Sequence, residues 1–226
     1  MALFQNIDVI IYDLDGTIID TERFHQQAWE LTSRDYGFGF SGEQLYVVSK
    51  GISSKRTLEK MLPVDRYGII AEAAETKFRY MMDLMEHDTI EMLPGFEETF
   101  EQLQSYHLKI GICTSARKEN VAALQRNTSS PISTILNYLE GKVAWKEMFT
   151  QGKPTAEPLL LSLNLLGGIF PDRALYVGDA AADYGCAQNA GTSFVYFCPD
   201  GVQGEKEIPA DVLMIHNHRE LLEYLK

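Results

Sequence analysis

The chain has 226 residues, of which 45% are hydrophobic and 23% charged. That make-up belongs to an ordinary globular protein and excludes wholesale disorder. Twenty Lys/Arg against 32 Asp/Glu leave a net charge of −12, which argues against a nucleic-acid partner, because phosphate backbones demand a concentrated positive footprint.

A small phosphorylated substrate remains compatible with that charge, since a pocket needs only a few cations or a metal. At ~100–200 residues per domain, the length suits one large domain or a core with one modest insertion. The cysteines Cys113, Cys186 and Cys198 are odd in number and widely spaced, so neither a zinc site nor a disulfide framework is expected. The longest apolar stretch, 158–170, is broken by Ser162, Asn164, Gly167 and Gly168, short of the ~20 apolar residues that span a bilayer. The start, MALFQNIDVI, lacks a basic segment followed by a long apolar one, so no secretory signal is read there. The expected setting is the cytoplasm, with no membrane partner.

The first element in chain order is Ile7–Tyr12, short, β-branched and apolar on both faces, as a buried parallel strand should be. Residues 21–88 then carry helical patterns. Phe24, Ala28, Trp29 and Tyr36 recur at helical spacing, and Ile70, Ala74, Phe78, Met81 and Met85 do so more cleanly. Helical patterns follow at about 95–105, 117–126, 156–166, 181–190 and 217–225. Between them lie strand candidates at Leu108–Cys113, Ala174–Val177, Ser193–Phe197 and Val212–Ile215. Strands alternating with helices of that length predict βαβ units in a doubly wound, Rossmann-like parallel sheet. Residues 1–20 and 89–226 are therefore expected to form an α/β core, and 21–88 an inserted α-helical cap closed off by Leu93-Pro94-Gly95. The insert holds nine Lys/Arg and eleven Asp/Glu, a net −2 against −10 for the remainder. That is either a solvated helical surface or a lid that helps attract an anion. Residues 127–134 read as a surface loop, and no role is read for 127–151.

Chemistry gathers at the carboxyl ends of the strands, where open α/β sheets bind their ligands. Strand one runs into Asp13-Leu14-Asp15-Gly16-Thr17, with Asp20 close behind. Five fixed residues recur by chance on the order of 10⁻⁴ times in a chain of this length. Strand two runs into Thr114-Ser115, and Ala174–Val177 into Gly178-Asp179, with Asp183 one helical turn later. Singly, a Thr or an Asp there is an ordinary helix cap or turn residue. Together they deliver Asp, Thr and Asp to one rim. Four clustered carboxylates repel and raise one another's pKa, which a divalent cation relieves. An all-oxygen set without Cys or His favours a hard ion, and Mg²⁺ is the usual companion of phosphates. Lys153, in Gly152-Lys153-Pro154, is the obvious cation for a phosphoryl oxygen and does not fit a Walker A loop.

These four motifs, in this order and spacing, resemble those of the haloacid dehalogenase-like hydrolase superfamily, and the resemblance spans essentially the whole chain. Asp20-Thr21-Glu22, Gly152-Lys153-Pro154 and Ala190-Gly191 resemble its phosphoglycolate phosphatase and β-phosphoglucomutase branch. The resemblance implies that Asp13 attacks phosphorus and becomes an aspartyl-phosphate, while Asp15 acts as acid and then base. It implies Mg²⁺ held by Asp13, the Asp15 backbone carbonyl, Asp179 and Asp183, and phosphate held by Thr114, Ser115 and Lys153. The pair Asp13 and Asp15 selects phosphoryl transfer over dehalogenation.

In the insert, His25 resembles the histidine of the first cap helix of phosphosugar mutases. Lys50-Gly51 resembles the cap loop that reaches the active site, with Lys55 close by. Ser54 stands where the mutases carry an arginine, Met81, with Lys77 and Arg79 close by, where they carry a lysine, and Thr17 where they tend to have Val. The expected activity is a Mg²⁺-dependent phosphatase of small phosphorylated metabolites, acting as a monomer or weak homodimer. A β-phosphoglucomutase-type mutase and a non-catalytic binding protein on the same fold are the alternatives.

Overall fold

The computed structural model describes residues 4, 6–49, 53–201 and 208–225. Lys50 and Gly51, expected to contact substrate, lie outside the described residues. In chain order the elements are β1 (Val9–Tyr12), α1 (Glu22–Tyr36), α2 (Gly42–Ser49), α3 (Ser54–Met61) and α4 (Ile70–His87). Then come α5 (Phe96–Ser105), β2 (Lys109–Cys113), α6 (Lys118–Arg126), α7 (Ile132–Tyr138) and β3 (Val143–Ala144). The chain continues with α8 (Glu157–Leu165), β4 (Ala174–Gly178), α9 (Ala181–Ala190), β5 (Ser193–Phe197), β6 (Met214–Ile215) and α10 (Leu221–Tyr224).

Two compact units result: Met1–Asp20 with Ile90–Lys226, and Thr21–Thr89. The first is a six-stranded sheet in the order β3-β2-β1-β4-β5-β6, and every pairing is parallel. It is the expected Rossmann-like α/β fold. Every β1 residue is fully buried, because helices cover both faces and leave neither for polar side chains. Val9 and Ile11 share an apolar layer with Tyr176 of β4, Leu159 and Leu163 of α8, and Cys186 of α9. Tyr12 points to the opposite face, where its ring meets the edge of Phe96 from α5, centroids 5.2 Å apart.

Three expected elements change. The strand expected over 212–215 shortens to Met214–Ile215. The terminal helix is split into a 3-10 turn at His218–Glu220 and the single turn of α10, because the Asn217 side chain caps the turn by accepting from the Arg219 amide. The 127–134 segment is no plain loop: α7 starts at Ile132 and buries Ile132, Ile135 and Leu136 at helical spacing.

Among its described residues, the regular elements of the second unit are all helices. Trp29 of α1, Leu45 of α2, Leu58 of α3 and Ile70, Ala73 and Ala74 of α4 share one apolar cluster. α1 ends in the left-handed Gly37, whose following amide at Phe38 bonds back to the Ser33 carbonyl.

Candidate active site

Asp13 is the first residue past β1, and its amide bonds the Val177 carbonyl of the neighbouring strand at 2.9 Å. Asp179 is the first past β4. Asp183 sits in the first turn of α9, where its Oδ2 accepts from the Ala180 amide at 3.1 Å. Oxygens of Asp13, Asp179 and Asp183 all lie within 4.8 Å of one another. The Asp15 carboxylate is not one of the three.

Glycines permit this approach at two points. Gly16 holds φ +80°, and a Cβ there would stand 2.8 Å from Asp179 Cγ. At Gly178 a Cβ would stand 2.6 Å from both Cβ and Cγ of Asp183. A larger residue at either point would push a carboxylate out of the cluster.

Lys153, just ahead of α8, reaches in from the side. Its ammonium donates to Asp13 Oδ1 at 2.6 Å and to Asp183 Oδ1 at 2.7 Å, with its side chain 5% exposed. The electrostatics follow. Burial pushes the Asp13 carboxyl well above the usual carboxylate range, against the pull of Lys153 and with repulsion from Asp183 and Asp179. Burial and Asp183 likewise carry Asp179 up to about 7, although Thr17 Oγ1 donates to its Oδ1 at 2.8 Å. For Lys153, burial opposes the charge but Asp13 and Asp183 outweigh it, holding the ammonium firmly protonated.

Three carboxylates, Asp13 and Asp183 buried and Asp179 half-buried, thus gather around one ammonium, which bonds Asp13 and Asp183. That surplus of negative charge, on oxygens alone, fits a hard divalent ion. Asp13, Asp179 and Asp183 are thus a group that could hold a metal ion.

Thr114 follows β2, fully buried, with its amide bonded to the Ala144 carbonyl of β3 at 2.9 Å. Its Oγ1 accepts from the Ala116 amide at 2.9 Å, which turns the chain so that Ser115 is exposed. In the helical unit, Lys77 of α4 donates to Nδ1 of His25 on α1 at 2.8 Å, and the ammonium lies 5.6 Å from the Trp29 ring centre. Burial, then Lys77, holds the His25 pKa down at about 3, so the ring is neutral. Lys55 is exposed on α3.

Sequence reasoning missed Tyr176 and His218, and named Thr17 and Lys77 without the contacts they make. Lys77 had a signal: it falls on the apolar stripe of Ala74, Phe78 and Met81, where a lysine is out of place. Tyr176 and His218 sit in surroundings that read as packing. His218 is fully buried and donates from Nε2 to the Thr17 carbonyl at 2.7 Å across 201 residues, anchoring the loop after Asp13.

The family model for haloacid dehalogenase-like hydrolases matches residues 10–197. A phosphoglycolate phosphatase of Aquifex aeolicus is 31% identical over 193 residues, covering 81% of this chain and 81% of the relative. The pyrophosphatase PpaX of Oceanobacillus iheyensis is 29% identical over 189 residues, covering 82% and 81%. Among solved structures, CbbY of Rhodobacter sphaeroides in complex with phosphate superposes with a TM-score of 0.74 at 22% identity, covering 95% of this chain and 96% of that one.

Proposed function

The chain belongs to the haloacid dehalogenase-like hydrolase family, and on that premise we propose that it is a Mg²⁺-dependent phosphatase of small phosphorylated metabolites. The observation that carries the reading is the carboxylate triad of Asp13, Asp179 and Asp183 bracketed by Lys153. A relative named phosphoglycolate phosphatase and another named pyrophosphatase support phosphate chemistry on this framework.

Asp13, Asp179 and Asp183, with the Asp15 backbone carbonyl, would hold Mg²⁺. When bound, the ion supplies positive charge for the phosphoryl oxygens and favours the ionised form of Asp13. Asp13 is the nucleophile, and its attack on phosphorus gives an aspartyl-phosphate, splitting one difficult displacement into two. Lys153 fixes the Asp13 carboxylate through Oδ1, and an ammonium carries a third proton for a phosphoryl oxygen. Thr114 and the Ser115 amide bind the remaining oxygens, and stabilising that charge is the larger part of phosphoryl-transfer catalysis. Asp15 gives its proton to the leaving alkoxide and takes one from the water that clears the intermediate. Substrate choice is assigned to the helical unit, with His25, Lys55 and the buried Lys77 as its candidate determinants.

The test is inorganic phosphate release across phosphorylated metabolites, with Mg²⁺ and with EDTA, for wild type and Asp13→Asn. The set includes β-glucose 1-phosphate primed with a bisphosphate. Metal-dependent release that Asp13→Asn abolishes is expected. Glucose 6-phosphate formed without matching release would make the protein a mutase, and substantial turnover by Asp13→Asn would remove the covalent mechanism.

A further inference from the structure

The Asp183 carboxylate is 2% exposed, and donors occupy both of its oxygens. Oδ2 takes the Ala180 amide. Oδ1 takes the Lys153 ammonium at 2.7 Å and, from below, the hydroxyl of Tyr176, also at 2.7 Å. Tyr176 is in the middle of β4, two residues ahead of Gly178, so both face the same side of the sheet. Gly178 leaves room for Asp183 to lie over the strand end, and Tyr176 meets it there. The same ring lies 5.4 Å from Lys153 Nζ, so one side chain touches both members of the Lys153–Asp183 pair.

The phenol has a single proton to give. The other acceptor in reach, the Cys113 carbonyl, is at 3.4 Å, so the proton goes to the carboxylate. Tyr12 supplies the contrast. It is equally buried, on the adjacent strand and the opposite face, and its hydroxyl has no partner among the described residues. Tyr12 fills space; Tyr176 directs a hydrogen bond at a proposed metal ligand.

We propose that Tyr176 is a positioning residue of the catalytic centre: its hydroxyl holds the Asp183 carboxylate, and through it the Lys153 ammonium, in the orientation that metal and phosphate binding require. The inference rests on the phosphatase reading above and extends it to a residue that touches neither substrate nor metal. Outer partners of ligating carboxylates typically change metal affinity 10–100-fold when removed.

The experiment is Mg²⁺ titration by calorimetry on substrate-free protein, with turnover of an aryl phosphate alongside. Tyr176→Phe keeps the ring and deletes the hydroxyl, and its Mg²⁺ Kd is expected to weaken 10–100-fold. The control Tyr12→Phe deletes an equally buried hydroxyl and leaves the Kd unchanged. A residue that acts through Asp183 adds nothing once Asp183 is disabled, so Tyr176→Phe placed on Asp183→Asn has no further effect. A Kd for Tyr176→Phe within twofold of wild type, with only the melting temperature lowered, overturns the proposal, as does an undiminished effect in the Asp183→Asn background. Wild-type protein that binds no Mg²⁺ and releases no phosphate overturns the phosphatase reading and this inference with it. Wild-type protein that does both, with Tyr176→Phe unchanged, overturns this inference alone.

Discussion

Lowering the pH from 8 to 4.5 sets the His218 anchor against solvent protons. The imidazole is stacked on Phe197 with centroids 4.1 Å apart and edged by Phe96 at 5.1 Å and Tyr12 at 5.7 Å. Burial in that aromatic box pulls its pKa down to about 4, against the opposite pull of the Thr17 carbonyl. In the unfolded chain the ordinary value of 6.5 applies. Between the two values the unfolded chain binds a proton that the fold refuses. The contribution is therefore complete above about pH 6.5 and is lost as pH falls towards 4. Integrated to pH 4.5, the loss is ~2.5 kcal/mol at ~1.4 kcal/mol per pH unit. Asp179 works in the opposite sense, since a carboxyl raised to about 7 gains stability as pH falls. The comparison must therefore be between wild type and His218→Leu, which share Asp179. Urea unfolding of the α/β unit can be followed by Trp145 fluorescence once Trp29, in the helical unit, is replaced by Phe. At pH 8 His218→Leu is expected to cost about 1 kcal/mol for the lost bond to Thr17. On going to pH 4.5 it should lose ~2–2.5 kcal/mol less than wild type. Equal losses in the two proteins would refute the claim that His218 is held neutral by burial.

Gly178→Ala places a methyl 2.6 Å from Asp183 Cβ and Cγ. The carboxylate must move, so kcat/KM on an aryl phosphate should fall by ~10²-fold, alongside ~1–3 kcal/mol of lost stability from overpacking. Unchanged kinetics would mean that Asp183 is not needed where it stands. Lys153→Ala removes the ammonium shared by Asp13 and Asp183 and should lower kcat by at least ~10²-fold. Lys55→Ala, on the exposed side of α3, should stay within about threefold on the same minimal substrate, because an exposed charge contributes little. Equal losses in these two variants would put the phosphate site elsewhere.

The sheet was legible because a strand covered on both faces must be a continuous apolar run, and the segments at Val9–Tyr12, Lys109–Cys113, Ala174–Gly178 and Ser193–Phe197 all contain one. β3 was not, because Val143–Ala144 is two residues flanked by Lys142 and Trp145. α7 hid behind Asn127-Thr128-Ser129-Ser130-Pro131, a turn-forming string by composition. In the fold Asn127 is fully buried, and Ser130 Oγ accepts from the Ile90 amide at 2.6 Å. The stretch without an assigned role therefore has one: β3 hydrogen-bonds the Thr114 amide in place.

The same division runs through the site. Asp13, Thr114 and Asp179 announce themselves because polar residues directly after buried strands are conspicuous, and Asp183 follows Asp179 by one helical turn. The residues that hold them do not. Tyr176 stands among Leu175 and Val177 and reads as packing, and Thr17 meets Asp179 from 162 residues away. A hydrogen bond between distant residues is not a property of either neighbourhood, so no local pattern reports it. The consequence for this chain is specific. Asp13→Asn tests a reading already visible in the primary structure, whereas Tyr176→Phe and His218→Leu test contacts that exist only because β4 meets the first turn of α9 and the turn at His218–Glu220 meets the loop after β1. If those two variants behave like neutral core substitutions, the carboxylates are held by the backbone, Thr17 and Lys153. If they do not, positioning in this site belongs to residues whose side chains look like part of the core.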